Sequence, residues 1–397
     1  MSSRQCNDWL DSYLTFTANS EPPYTYRLWC GISVIAACLK RKCVLNWGTL
    51  TLYPNMYVVL VGPSGRCRKG TAMNQGMWFM REMGIKMAAE SITREALIRE
   101  LKEANKEMSV DVTTGELNMH ASITIYSQEL TVFLGYNNLA LMSDLTDWYD
   151  CRNEWTYRTK NMGTDNIIGV WVNLIGATTP DLLQTTLPQD AIGGGLTSRI
   201  IFVYEQRKEK TVAAPFLSQD ERILQIKLKD DLSQICAMSG NFTTTSSFID
   251  EYVNWYTEYS EGNPPFKDYR FNGYFERRPT HLLKLCMICS ASRNSKMELD
   301  KVDFDRALKI IERTERKMPY TFSGVGKSIT ADSMSRVMQI IEVNREIEFR
   351  ELHRQTYQDI DKFTLEKLIE SLIAMEFVEV RFEGKVKIIK YIGKNTF

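Results

Sequence analysis

The sequence predicts an α/β fold followed by a small domain of three helices and a hairpin. Three stretches carry that prediction. Tyr57–Val61 is a short apolar run that leads into Gly62-Pro-Ser-Gly65, a basic turn and a helical pattern from Thr71 to about Lys86. Ile167–Ile175 is a second apolar run of strand length, ending in Gly176-Ala-Thr-Thr-Pro180. Beyond residue 332 the apolar spacing gives helices at 335–344, 349–356 and 365–375, then two alternating runs around Glu383-Gly384-Lys385. Short apolar runs bounded by turn residues read as buried strands, and a Gly-bearing turn between alternating runs reads as a hairpin.

Composition bounds the rest. The 397 residues are 44% hydrophobic and 25% charged, with 49 basic against 49 acidic side chains. This is an ordinary globular composition, with length for one large domain plus appendages or for two to three domains. Balanced charge excludes a generally basic nucleic-acid coat but allows a local basic channel, because binding depends on where charge sits. Nine cysteines without framework spacing, and no signal-peptide pattern, point to a reducing, cytoplasmic setting. Cys286 and Cys289 fall in an apolar helical pattern and read as core, not zinc ligands. The three histidines show no metal spacing. No apolar run is long enough to span a membrane.

Taken in order, residues 1–50 form a helical N-terminal region. Trp9, Leu10, Tyr13 and Leu14 recur at helical spacing, Tyr26–Leu39 gives a second apolar helix, and Val44–Trp47 gives a short strand. An α/β core is expected over 51–210. Its first strand ends in a glycine-bearing loop, a lysine and a helix, the layout of a phosphate-binding loop. Backbone N–H groups of such a loop point at phosphate oxygens, and the lysine reaches the outer phosphates. The standard spacing G-x-x-x-x-G-K-[ST] counted from Gly62 puts Cys67 at the second glycine and Arg68 at the lysine. One extra residue in the loop makes Lys69 the phosphate lysine, leaves Gly70 where a hydroxyl is expected, and brings Thr71 one position late. Gly62, Ser64, Gly65, Arg68, Lys69, Gly70 and Thr71 are the candidate nucleotide-binding residues, with Thr71 the candidate Mg²⁺ hydroxyl.

Ala121–Leu130 is a β-rich run ending in Ser127-Gln128-Glu129. In phosphoryl-transfer ATPases an acid here holds Mg²⁺ and a second polarises the attacking water. Gln128 takes the metal-side position without a charge, and Glu129 is the candidate base. Cys151–Lys160 interleaves cations and rings: Arg152, Trp155, Tyr157, Arg158 and Lys160. That suits single-stranded DNA, with phosphates on the cations and bases on the rings; a solvated hairpin is the other reading. Helical patterns over 211–325 form an expected lid. Residues 321–332 read as a linker, and 333–397 as a winged helix, a relative of helix-turn-helix. Lys385 and Lys387 of its wing are candidate DNA contacts, with several glutamates nearby acting against them.

Leu52-Tyr-Pro-Asn-Met-Tyr-Val-Val-Leu-Val-Gly-Pro-Ser-Gly65 with Arg68-Lys-Gly-Thr71 resembles the DUF3987 family of phage and plasmid P-loop proteins, over about Trp9 to Arg316. Gly176–Pro180, Gly193-Gly-Gly-Leu-Thr-Ser-Arg199 and Arg277-Arg-Pro-Thr-His-Leu-Leu-Lys284 are similar to later motifs of that family. The resemblance implies a P-loop NTPase core of AAA+/RecA-like type, using ATP and Mg²⁺. It also implies a ring, a hexamer, working as a replicative helicase or translocase in a bacterial host, with a primase or loader as partner. It makes Thr178, then Thr179, the γ-phosphate sensor, with a helix cap as the plain alternative. Arg199 becomes an arginine finger acting on a neighbouring copy, and Arg278, then Arg277, a lid sensor; a salt bridge is the alternative for each. Two further readings stay open: an ATP-binding switch or helicase loader without strong motor activity, and an origin-binding initiator.

Overall fold

The computed structural model describes residues 4–104, 107–110, 117–159, 163–188, 192–262, 264–322, 329–357, 360–384 and 386–393. The chain divides into two compact units, Met1–Phe322 and Ser323–Phe397.

The first unit opens with α1 (Trp9–Phe16) and α2 (Tyr24–Leu39), then β1 (Cys43–Trp47) and β2 (Leu50–Leu52). The strand β3 (Tyr57–Val61) runs into α3 (Lys69–Glu82), followed by α4 (Arg94–Glu103), β4 (Glu107–Val110) and β5 (Leu117–Ser127). Next come α5 (Leu130–Leu134), α6 (Leu139–Tyr149), the hairpin β6 (Glu154–Thr159) and β7 (Gly163–Ile168), then β8 (Val170–Thr178), α7 (Pro180–Thr186) and β9 (Ile200–Tyr204). Five strands form one sheet in the order β4-β5-β8-β3-β9. All are parallel except the edge strand β4, which is antiparallel to β5. Every residue of β3 and β8 is buried, as the continuous apolar runs require when helices cover both faces of a parallel sheet. Helices α2, α3, α5 and α6 pack on β8.

The register fixes which residues share an edge. Val61 stands beside Thr178 and Tyr204, and Ser127 beside Gly176, so the loop after β3 and the ends of β5 and β8 gather at the carboxyl edge. Tyr57 stands beside Ile200, so Arg199 lies at the opposite edge. The expected single strand 167–175 is two elements. Gly169, at φ +63°, closes the β6–β7 hairpin against the start of β8, and a Cβ there would lie 2.7 Å from the Met119 carbonyl oxygen. Only glycine tolerates that combination of conformation and approach.

Four longer helices follow: α8 (Gln219–Ala237), α9 (Ser246–Glu261), α10 (Asn272–Arg293) and α11 (Lys301–Glu315). Ser218 with Glu221, and Asp300 with Asp303, form capping boxes at the starts of α8 and α11. Helix α10 runs through Pro279 and starts eight residues before the expected Thr280. Tyr274, Phe275 and Arg278 are buried on that added segment and hold it in helical form despite the lost N–H. Cys286 and Cys289 are buried free thiols in the same helix, as core residues should be.

The second unit is α12 (Ile329–Asn344), α13 (Phe349–Thr356), α14 (Lys362–Ala374) and a three-stranded sheet. With β10 (Gly240–Asn241), β11 (Thr243–Thr244) and β12 (Glu298–Leu299) counted in the first unit, its strands are β13 (Glu346–Glu348), β14 (Val378–Glu383) and β15 (Val386–Tyr391). The order is β13-β15-β14, so the predicted hairpin gains one short strand. Val337, Ile341, Leu352, Leu365, Leu368 and Ile389 are among the side chains that close its core. Among the described residues no helix is long and apolar enough to cross a membrane.

Candidate functional site

The loop between β3 and α3 is built from below. The Tyr26 hydroxyl on α2 donates to the Val61 carbonyl at 2.6 Å, and the Gly62 N–H donates to the Thr178 carbonyl at 3.3 Å. A Cβ at Gly62 would lie 2.3 Å from the Glu205 carbonyl oxygen, 2.7 Å from the Tyr26 hydroxyl and 2.9 Å from Cys67 Sγ. Glycine is therefore required where the chain leaves the strand. Cys67 points into this floor, its thiol 3.1 Å from the Glu205 carbonyl. That explains why a cysteine stands at the standard second-glycine position: it anchors the loop instead of lining it.

Arg68 has the left-handed conformation, φ 55°, immediately before the helix. A lysine directly after such a residue is at the mouth of the helix N-terminus, which supports Lys69 over Arg68 as the phosphate lysine. Lys69 Nζ turns back onto the loop and donates to the carbonyls of Gly62 at 2.6 Å and Pro63 at 3.3 Å. Burial draws its ammonium below the ordinary lysine value, with Cys67 and Glu129 acting the other way. No side chain caps α3. The N–H groups of its first turn are oriented outward by helix geometry, beside a lysine already within reach of the loop. Gly65, Ser64 and Arg68 are exposed around this mouth. Arg68 pairs with Glu21 at 2.6 Å, and Glu21 also accepts from Lys208 at 2.6 Å and the Val212 N–H at 3.3 Å. The bonds from Lys208, then Arg68, hold the Glu21 carboxyl at about 2, well below the usual range.

Thr178 is buried at the tip of β8, next to the loop, while Thr179 caps α7 by accepting from the Leu182 N–H at 3.3 Å. Of the pair, Thr179 takes the helix-cap role. Glu129 is exposed at the start of α5, its charge within reach of Lys69.

The Mg²⁺ position departs from expectation. Gln128 Nε2 donates to Asn74 Oδ1 at 2.8 Å and to the Tyr126 hydroxyl at 3.2 Å, and the Tyr126 hydroxyl donates to the same Asn74 oxygen at 2.8 Å. The Gln128 Oε1 then faces Gly70. Thr71 is exposed one residue further along α3. Mg²⁺ is held by one or two carboxylates, a hydroxyl and phosphates in sites of this type. Here the pair that would supply hydroxyl and carboxylate is a glycine and a neutral amide, and no cluster of metal-ligating side chains is found among the described residues. The donor set does not fit a resident Mg²⁺. Asn74 is the residue that sequence reading missed. It lies four residues after Gly70, hence on the same helix face, and that spacing was the available signal.

Two expected site arginines serve elsewhere. Arg199 is buried at the opposite edge of the sheet, donating to Asp150 Oδ2 at 2.5 Å and to the Gly195 carbonyl at 2.8 Å. It is paired within its own unit, the salt-bridge alternative given for it. Arg278 is buried in a two-pronged pair with Glu315, at 2.6 and 2.8 Å, over the stacked rings of Trp255 and Tyr259. This internal clamp replaces the lid-sensor assignment. Arg277 is half-exposed and lies 3.5 Å from Asp150.

The hairpin β6–β7 also differs. Trp155 and Tyr157 stack on one face, 6.1 Å between centroids; Trp155 meets Trp148 edge-on and Tyr157 lies under Arg94. Arg94 is itself fixed by Asp144. The Trp155 ring is buried in this packing, and Tyr157 is partly covered by Arg94. Arg158 is exposed on the other face, and Arg152 is exposed but paired with Asp147 at 3.2 Å. Lys160 and Lys385 lie outside the described residues. Lys387 sits on β15 with its ammonium 5.0 Å from the Phe349 ring centre.

No protein-family model matches this chain. A search of curated proteins returns no match either.

Proposed function

We propose that the first unit is a P-loop nucleotide-binding domain, and that the chain is an ATP-dependent protein acting on DNA. One observation carries this reading. The glycine-bearing loop, Lys69, the tip of β8 with Thr178, and Glu129 meet at the carboxyl edge of a parallel sheet. Ligands of open α/β sheets bind at that edge, where strand order reverses. In the sheet β8 lies between β3, which leads into the loop, and β5, which ends two residues before Glu129. In this reading Lys69 and the first-turn N–H groups hold phosphate oxygens, Thr178 stands by the terminal phosphate, and Glu129 polarises a water. The motor form, a ring-forming helicase or translocase of a phage or mobile element, rests on the resemblance to DUF3987 proteins, as do a hexamer and a primase or loader partner.

A second reading, an ATP-binding switch, loader or initiator without strong turnover, is favoured by one specific observation: Gly70 faces neutral Gln128 where a metal site would need a hydroxyl and an acid. Binding of a fluorescent ATP analogue, with phosphate release measured with and without single-stranded DNA, tests both. Lys69→Ala should weaken nucleotide binding by roughly tenfold or more, the worth of a charge-assisted hydrogen bond. Equal binding by wild type and Lys69→Ala overturns the nucleotide site. DNA-stimulated turnover with strand separation selects the motor, and nucleotide binding without turnover selects the switch.

A further inference from the structure

The second unit carries a recess on the helix α13 side, away from the wing tip at Gly384. Between α13 and the start of α14 lies a recess of about 580 Å³, lined by Phe349, Arg350, His353, Arg354, Tyr357 and Lys362. Three of the six are cations and three carry rings. We propose that this recess binds single-stranded nucleic acid, with phosphates on Arg350, Arg354 and Lys362 and a base against Tyr357 and Phe349.

The chemistry favours that ligand over the alternatives. Among the described residues no carboxylate lines the recess. Three described acids close to it in sequence are engaged. Asp361 caps α14 by accepting from the N–H groups of Phe363 and Thr364 and from the Thr364 hydroxyl. Glu351 pairs with Arg354 at 3.0 Å, and Glu366 stands 3.9 Å from Lys362; these cationic partners are 77% and 69% exposed, so water screens both pairs. The rings are arranged for stacking. Phe349 lies nearly parallel to His353 at 6.4 Å, and Tyr357 is 62% exposed. A fourth cation, Lys387, reaches over the Phe349 ring from β15. Cations that track a backbone beside flat rings that take bases are the two parts of a single-strand site.

The usual reading surface of such a domain is less suited. The outward side of α14 and β14 presents Lys367 among Glu366, Glu370, Glu379 and Glu383. Lys367 Nζ lies over the Phe363 ring, 4.4 Å from its centre, and acids outnumber cations on that side.

The site shares only its ligand class with the proposed ATP-dependent function and does not use the nucleotide loop. Its test is fluorescence anisotropy of the full chain with a labelled oligothymidylate of roughly 20 nucleotides and a duplex of equal length, across a salt series. Arg350→Ala/Arg354→Ala/Lys362→Ala should flatten the salt dependence by a slope of about 2, since single strands lose about 0.7 per phosphate contact. Tyr357→Ala should weaken single-strand binding by about tenfold, within the range of one lost stacking contact. Lys367→Ala should leave binding unchanged. Three results overturn the proposal: an unchanged slope in the triple variant, a duplex bound more tightly than the single strand, or an equal loss in Lys367→Ala. Loss of oligonucleotide binding in Lys69→Ala would overturn the independence of the recess, whereas loss of ATP binding alone leaves it intact.

Discussion

Gln128 faces Gly70 across the mouth of the loop between β3 and α3: a Cβ on Gly70 would lie 3.0 Å from Gln128 Oε1. The amide is fixed in that direction by Asn74 and Tyr126. A neutral oxygen therefore stands where an anionic oxygen would hold a divalent cation, and the loop offers no hydroxyl opposite it.

From this it follows that nucleotide affinity should depend little on Mg²⁺ in the wild type. Gly70→Ser combined with Gln128→Asp supplies a hydroxyl and a carboxylate at those two positions, and the shorter Asp makes room for the new Cβ. The double variant should acquire Mg²⁺-dependent binding or turnover, because Mg²⁺ is held by carboxylate and hydroxyl oxygens together with phosphates. Titration of nucleotide binding with and without chelator, on both proteins, checks the difference.

Gly62→Ala should destabilise the first unit. The new methyl group would overlap the Glu205 carbonyl, which is backbone and cannot swing aside, as well as the buried Tyr26 hydroxyl and Cys67. Overpacking of this kind costs about 1–3 kcal/mol, and chemical denaturation should show it as a lower midpoint. Gly65→Ala meets no neighbour but has φ 70°, so its cost is conformational and smaller, about 1 kcal/mol.

Arg278→Ala should lower stability by about 3–5 kcal/mol, because it leaves the buried Glu315 carboxylate unpaired. Arg278→Met with Glu315→Leu should recover much of that loss, since both charges go together. A sensor of phosphate would instead show unchanged stability and altered turnover. Thermal denaturation beside nucleotide binding separates the two.

Acid sensitivity should map to His281. Burial pushes its imidazolium down to about 3, from an ordinary value near 6.5, while its ring bonds the Tyr149 hydroxyl and the Ser198 carbonyl. The unfolded chain takes up a proton at that ring below pH 6.5 and the folded chain does not until about pH 3, so stability falls as pH falls through that window. The full effect is up to about 5 kcal/mol. His281→Gln should be less stable at neutral pH, and the slope of its stability between about pH 6.5 and 4.5 should be flatter than that of wild type, by urea denaturation at each pH.

The buried strands were legible because each is a continuous apolar run between turn residues, and burial on both faces leaves no alternation to blur it. The loop and Lys69 were legible for the same local reason: strand, glycine, lysine and helix follow one another in the chain. The arginines were not. Arg199 finds Asp150 across 49 residues, and Arg278 finds Glu315 across 37. An arginine that turns inward to a distant acid has the same local sequence as one that reaches outward. The hairpin rings were misjudged although the signal was present. Trp155 and Tyr157 are two residues apart in a strand, hence on one face, while Arg158 is on the other.

Glu21 acts as a stand-in anion for the loop. Its carboxylate occupies the Arg68 guanidinium from outside, through a pair that water screens. If an incoming phosphate draws Arg68 away, Glu21 keeps Lys208 and the Val212 N–H, and no charge is stranded by the swap.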